Sequence, residues 1–135
     1  MTLDGKGRMT VPARHREALT GGIDRQLTFT KSSAGCLWLF QRPAWEDFRR
    51  LLLGLPMQAD GWRRLFLGSA VDVEIDSADR ALVPAELRSW AGLDKEVLLI
   101  GMGRRLELWD AQRYVAHETQ VLASTMPDVV QSFVL

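Results

Sequence analysis

The residues best suited to chemistry in this chain are two arginines that follow tight turns. Asp4-Gly5-Lys6-Gly7-Arg8 and Asp76-Ser77-Ala78-Asp79-Arg80 share an Asp-x-x-x-Arg spacing, and each runs on into Val-Pro-Ala, at Val11 and at Val83. Aspartate can accept hydrogen bonds from its own backbone two residues on, and glycine takes positive φ without strain, so each segment reads as a turn that presents its arginine. An arginine held in this way has two readings. Its planar fork can bond the O6 and N7 edge of guanine bidentately, worth about 1–3 kcal/mol of discrimination. It can equally be spent on an ion pair within its own turn, Arg8 with Asp4 and Arg80 with Asp76.

The charge around the two turns differs. Residues 1–16 carry Lys6, Arg8, Arg14 and Arg16 against Asp4, whereas residues 75–88 carry Arg80 and Arg88 against Asp76, Asp79 and Glu86. A nucleic-acid face would be led by the first turn, with Arg8 on a base edge and Lys6 on phosphate.

Little else in the sequence suggests a reaction. His15 and His117 have no partner at a metal-ligand spacing, and neither lies near a nucleophile motif. Gly5-Lys6-Gly7 and Gly101-Met102-Gly103 lack the spacing of a phosphate-binding loop and read as turns. No catalytic residue, cofactor, metal or small-molecule substrate is expected. Trp38, Trp45, Trp90 and Trp109 fall on apolar faces, which favours core packing over base stacking, and Trp62 is less clearly placed. Arg49-Arg50 and Arg63-Arg64 read as solvated helix faces.

The elements that position the turns follow from a repeat. Leu3 to Ala13 recurs as Ile75 to Ala85 with Asp, Arg, Val, Pro and Ala coincident, and the same register pairs Arg16 with Arg88. After a small shift, Leu37-Trp38-Leu39-Phe40 matches Leu106-Glu107-Leu108-Trp109, and Trp45 matches Tyr114. Val71-Asp72-Val73-Glu74-Ile75 alternates as a strand with one wet face, ending at Asp76. Pro12 and Pro84 suit the first position of short helices over 13–19 and 85–90, with Gly21 and Gly92 as stops. Apolar runs at 26–30 with 36–40, and at 97–101 with 106–109, read as hairpins. Pro43 then opens a helix over 44–53, Asp110 caps one over 111–123, and 62–67 is a further helical turn.

Each repeat is too small to be stable alone, so the halves should interleave about a pseudo-two-fold axis into one core. The expected division is a first module at 1–53, a helical linker at 54–67, a second module at 68–123 and a tail at 124–135. Ahead of its turn the second module has a full strand over 68–75, whereas the first has only Met1 to Leu3. Either a longer first strand lies upstream or the first strand is vestigial; the open strand edge and the apolar tail at Val129-Val130 and Phe133-Val134-Leu135 favour association into an oligomer.

Composition sets the class. Across 135 residues, 47% apolar and 25% charged residues describe an ordinary globular chain, and zero formal charge requires any nucleic-acid surface to be local. The lone Cys36 sits in an apolar run and reads as a buried small hydrophobe in a reducing compartment. No stretch approaches the roughly 20 apolar residues of a membrane span, nor is there a secretion-signal pattern, so a cytoplasmic location is expected.

The doubled unit resembles the MraZ family, within the AbrB-like swapped-hairpin group of bacterial DNA-binding proteins. The likeness is carried by residues 3–19, Gly35-Cys36-Leu37-Trp38-Leu39-Phe40, Trp45-Glu46-Asp47-Phe48, Phe66-Leu67-Gly68, residues 76–87 and Ala91-Gly92-Leu93-Asp94-Lys95-Glu96-Val97. It implies an α+β fold of two tandem AbrB-like modules forming a swapped-hairpin double-split β-barrel with flanking helices, assembled into a homo-oligomeric ring. It also implies a nucleoid-associated transcriptional regulator that binds double-stranded DNA at short direct repeats ahead of the division and cell-wall gene cluster. The family's Asp-x-x-x-Arg signature falls on Asp4 with Arg8 and on Asp76 with Arg80, so the DNA-binding set becomes Asp4, Lys6, Arg8, Arg14, Asp76 and Arg80. Family members usually carry several residues before the first Leu-Asp. Asp79 departs from the pattern, standing where a glycine is usual, and its carboxylate is expected to repel phosphate or divert Arg80. The rival reading is an antitoxin-like protein-interaction module without an operator of its own, and a third is an oligomeric scaffold.

Overall fold

The computed structural model describes residues 1–20 and 25–134. The first half contributes β1 (Arg8–Thr10), α1 (Ala13–Thr20), β2 (Gln26–Lys31), β3 (Leu37–Gln41) and α2 (Arg42–Leu53). A 3-10 turn (Met57–Ala59) and α3 (Asp60–Gly68) lead into the second half. There follow β4 (Val71–Glu74), β5 (Arg80–Leu82), α4 (Ala85–Trp90), β6 (Val97–Gly101), β7 (Leu106–Asp110), α5 (Ala111–Ala123) and α6 (Asp128–Val134).

Local chemistry accounts for the boundaries. The Asp110 carboxylate accepts a hydrogen bond from the Arg113 N–H at 3.0 Å and so caps α5 as the sequence indicates. Pro84 stands one residue earlier than expected, at the N-cap of α4 with ψ 136°, since its fixed φ needs only an extended ψ to turn the chain into the helix. Gly92 follows α4 with φ 63°, whereas Gly21 lies outside the described residues. Arg63 departs from the solvated face expected of it. Its side chain is 17% exposed, bonds the Leu52 carbonyl at 2.9 Å and pairs with Asp60 at 2.6 Å, which ties the end of α2 to α3.

The repeat is written into the strand pairing. In the two-stranded sheet Met9 faces Ala81, Arg8 faces Leu82 and Thr10 faces Arg80, so residues equivalent in the repeat sit symmetrically about the Met9–Ala81 pair. In the five-stranded sheet, ordered β4-β2-β3-β7-β6, Trp38 faces Glu107 with Leu37 opposite Leu108 and Leu39 opposite Leu106. That register is symmetric about its own centre. Both are what a pseudo-two-fold relation between the halves requires. The halves also exchange their leading segments: β4 pairs with β2 of the first half, and Thr2 bridges Glu96 at the start of β6. Separate lobes are ruled out. The strands bond as two sheets, without pairing that runs on into one closed barrel, and the class is α+β.

Alternation along the strands gives the five-stranded sheet two buried faces. Leu27, Phe29, Leu37, Leu39, Leu99 and Leu108 point toward the two-stranded sheet and meet Met9, Val11, Ala81 and Val83. On the opposite face Cys36, Trp38, Phe40 and Trp109 pack with Trp45 and Leu52 of α2 and Phe66 of α3. Trp38, Trp45 and Trp109 are thus core residues, Trp90 is half-buried against the first cluster, and Trp62 is 55% exposed. The short strands β1 and β5 are pinned from beneath by a core drawn from both halves.

Candidate nucleic-acid interface

With Met9 and Ala81 directed into the core, alternation puts Arg8, Thr10, Arg80 and Leu82 on the outer face of the two-stranded sheet. The Arg8 and Arg80 side chains are 30% and 38% exposed, enough to meet a ligand, and Leu82, opposite Arg8, is also well exposed. Each arginine comes out of a turn closed by its aspartate. Asp4 Oδ1 accepts from the backbone N–H groups of Lys6 and Arg8, both at 2.9 Å, and Oδ2 accepts from Arg8 Nε at 2.7 Å. Asp76 repeats the pattern, taking Ala78 N and Arg80 N at 2.9 Å and Arg80 Nε at 3.0 Å.

The two readings of the arginines therefore coexist. The ion pair within each turn is real, but it uses the Nε edge, and the Nη groups make no hydrogen bond among the described residues. The aspartate orients the fork and leaves its tip to the outside. The Arg8 backbone N–H, aided by the Arg8 side chain and the Lys6 N–H against a partial desolvation, holds the Asp4 carboxyl down at about 2. The Arg80 backbone N–H likewise lowers Asp76. Both carboxylates stay ionised wherever a regulator works.

The turns differ at their fourth residue. Gly7 takes φ 82° and Asp79 takes φ 58°, the sole non-glycine residue with positive φ among the described residues. Aspartate tolerates that region. Contrary to the expectation that it would divert Arg80, the Asp79 carboxylate is turned to Arg25 at 2.6 Å and to Arg16 at 3.6 Å, both from the first half. At the equivalent place Arg88, from the second half, lies over Gly7 so closely that a Cβ there would overlap its guanidinium. Arg16 and Arg88 are repeat equivalents, and each reaches across to the other half's turn.

Of the six residues singled out, Asp4, Lys6 and Arg8 form one turn and Asp76 and Arg80 the other. Arg14 is exposed in the first turn of α1 with no ion pair among the described residues, and nothing ties it to the Arg8 turn. Sequence reasoning passed over Arg16, Arg25 and Arg88 as members of the site. The repeat aligned Arg16 with Arg88, which was the available signal; Arg25 left none, because its contact arises only when strands pair across halves.

The other candidates recede. His15 is half-buried, burial lowers its imidazole, and Nε2 is enclosed without a hydrogen-bond partner among the described residues. His117 packs on Trp109, ring centroids 4.8 Å apart. Burial pushes the Cys36 thiol up to about 11, which makes it a poor nucleophile. Among the described residues there is no His, Cys, Asp and Glu group able to hold a metal ion, and no helix is long and apolar enough to cross a membrane.

A doubled arginine turn on strand-exchanged halves defines a protein built by tandem repetition, and the family comparison matches both halves. The profile of the MraZ protein family, which carries the description "antitoxin-like", matches residues 1–64 and 66–128. A Leptothrix cholodnii protein named transcriptional regulator MraZ is 59% identical over 133 residues, covering 98% of this chain and 91% of the relative. Proteins of the same name from Burkholderia vietnamiensis and Burkholderia multivorans are 56% identical over 133 residues, covering 98% of this chain and 94% of each relative. This chain belongs to the MraZ family, a family of transcriptional regulators and not of enzymes.

Proposed function

We propose that this protein is a sequence-specific DNA-binding transcriptional regulator that meets double-stranded DNA with the outer face of its two-stranded sheet. The observation that carries the reading is the pair of Asp-clamped arginines on that one face whose tips make no hydrogen bond among the described residues. Arg8 reads a base edge, Lys6 and Arg14 meet phosphate, Arg80 adds a weaker contact, and Asp4 and Asp76 act by orienting their arginines. The relatives' name as transcriptional regulators supports the same reading.

The proposed architecture is two AbrB-like modules, residues 1–53 and 68–123, joined by 54–67, in a swapped-hairpin double-split barrel. Chains assemble into a homo-oligomeric ring, so that several turns engage short direct repeats together and gain effective concentration. Val115, Val121 and Leu122 on α5 and Val129 and Phe133 on α6 are exposed and support association. The target is proposed to lie ahead of the division and cell-wall gene cluster, with the protein in the cytoplasm at the nucleoid.

Electrophoretic retardation of DNA from upstream of the protein's own gene tests this, together with light scattering at micromolar concentration. The expected result is a discrete complex with repeat-containing DNA, lost on scrambling the repeats, from a protein larger than a monomer. Equal retardation of both DNAs, or none, rejects the reading. The same exposed apolar helices favour one second reading, an antitoxin-like module whose main partner is a protein, and retention of neither DNA would bring it forward.

A further inference from the structure

Arg88 on α4 lies outside both Asp-x-x-x-Arg motifs, yet its side chain lies against the first turn. Its Nε donates to the Val83 carbonyl at 3.1 Å, which fixes the base of the guanidinium, while the other end lies over Gly7. Among the described residues it has no ion pair, although it is only half-exposed. The equivalent Arg16 is anchored the same way, Nε to the Val11 carbonyl at 3.4 Å, but faces the Asp79 carboxylate. One half's arginine is thus neutralised over the other half's turn, and its counterpart is not.

A shallow concavity beside the first turn is lined by Gly5, Gly7, Arg88 and Lys95, with Asp4 and Asp94. Asp4 is already committed to Arg8 and two backbone N–H groups. Lys6 stands on the same turn. The absence of a side chain at Gly7 lets the guanidinium and an incoming anion approach the turn's backbone together. Arginine's planar fork, held by one edge, suits a phosphate that it can bond with the remaining donors.

From this we infer that Arg88 completes a phosphate site at the first turn, so that residues from opposite halves hold one backbone phosphate of the DNA whose base edge Arg8 reads. The inference rests on the DNA-binding reading above and extends it to a residue outside the Asp-x-x-x-Arg motif. In the second turn Asp79 fills the corresponding place and closes that site to phosphate.

The test is a titration of the full chain, Arg88→Gln, Arg88→Lys and Arg88→Met against repeat-containing and scrambled duplexes at several salt concentrations, with thermal melts. Arg88→Gln should weaken binding to both duplexes alike, roughly eightfold at 0.1 M salt, and reduce the salt slope by about 0.9, the share of one phosphate. Arg88→Lys should retain most of the slope. Arg88→Met, which keeps the aliphatic stem without the charge, should reproduce the Arg88→Gln slope. If Arg88→Gln melts early, Arg88→Met is read in its place. An unchanged salt slope in whichever variant is folded overturns the inference while leaving the DNA-binding reading intact. A parent chain that binds neither duplex overturns both.

Discussion

The turn from Asp4 to Arg8 and the turn from Asp76 to Arg80 close in the same way, hydrogen bond for hydrogen bond, yet they sit in different electrostatic surroundings. The first has Lys6 where the second has Ala78, Gly7 where the second has Asp79, and Arg88, without an ion pair among the described residues, where the second has Arg16 bound to a carboxylate. The side chains that close the turn are those of its first and fifth residues; the third gives only its N–H, and the fourth must be a residue that tolerates positive φ. Within those limits the third and fourth side chains set the charge, and in the second turn Asp79 is spent on ion pairs to the opposite half.

The largest effect should come from breaking what the turns share. Phe29, fully buried beneath both, belongs to a core drawn from both halves. Phe29→Ala is expected to cost about 3–5 kcal/mol in denaturant unfolding and to abolish DNA binding through either turn. Two separable unfolding transitions, one for each half, would show that the turns do not rest on one core.

Exchanging the third residue of the turns sharpens the contrast at smaller cost. Lys6→Ala should weaken binding to every sequence alike and lower the salt slope by about 0.9, and Ala78→Lys should raise it by a similar amount, as read from titrations at two or more salt concentrations. If Ala78→Lys leaves the slope unchanged, the second turn does not reach the DNA backbone.

The smallest effect concerns acid. Because Asp4 is lowered from the usual carboxylate value to about 2, its stabilising contribution is complete above the ordinary range near 3.8 and is lost as pH falls through about 2. Asp76 is lowered in the same sense. Carbon-detected NMR titration of the two side chains should find both midpoints below the normal aspartate range. A normal midpoint for either would mean that its turn is open in solution.

Much of this was legible in the sequence because it is local. Apolar runs, the prolines and Asp110 located the two hairpins and the helices that follow them to within a few residues, and the repeat implied a pseudo-two-fold relation. The short strands β1 and β5 went unrecognised because three residues after a turn carry no periodic signal, and the strand expected over 68–75 is confined to Val71–Glu74. Asp79 was misread because its carboxylate is judged from its neighbour Arg80 in sequence, whereas its partners Arg16 and Arg25 arrive from the other half. Arg63 was misread for the same reason: a charge pair on a helix looks solvated until the carbonyls ending α2 are brought against it. The tail's helix, Asp128–Val134, offered only an apolar run after Pro127, with too few residues for a periodic signal.

The central claim is that Arg8 reads sequence while its surroundings supply affinity, and comparison of Arg8→Ala with Arg80→Ala tests it most directly. Both variants are titrated against repeat-containing and scrambled duplexes at fixed salt, after melting curves establish that they are folded. Arg8→Ala should lose about 1–3 kcal/mol toward the repeats and little toward scrambled DNA, and Arg80→Ala should lose less on the repeats. A folded Arg8→Ala that binds the repeats as tightly as the parent would contradict the account and leave the Asp4–Arg8 pair with a purely structural role.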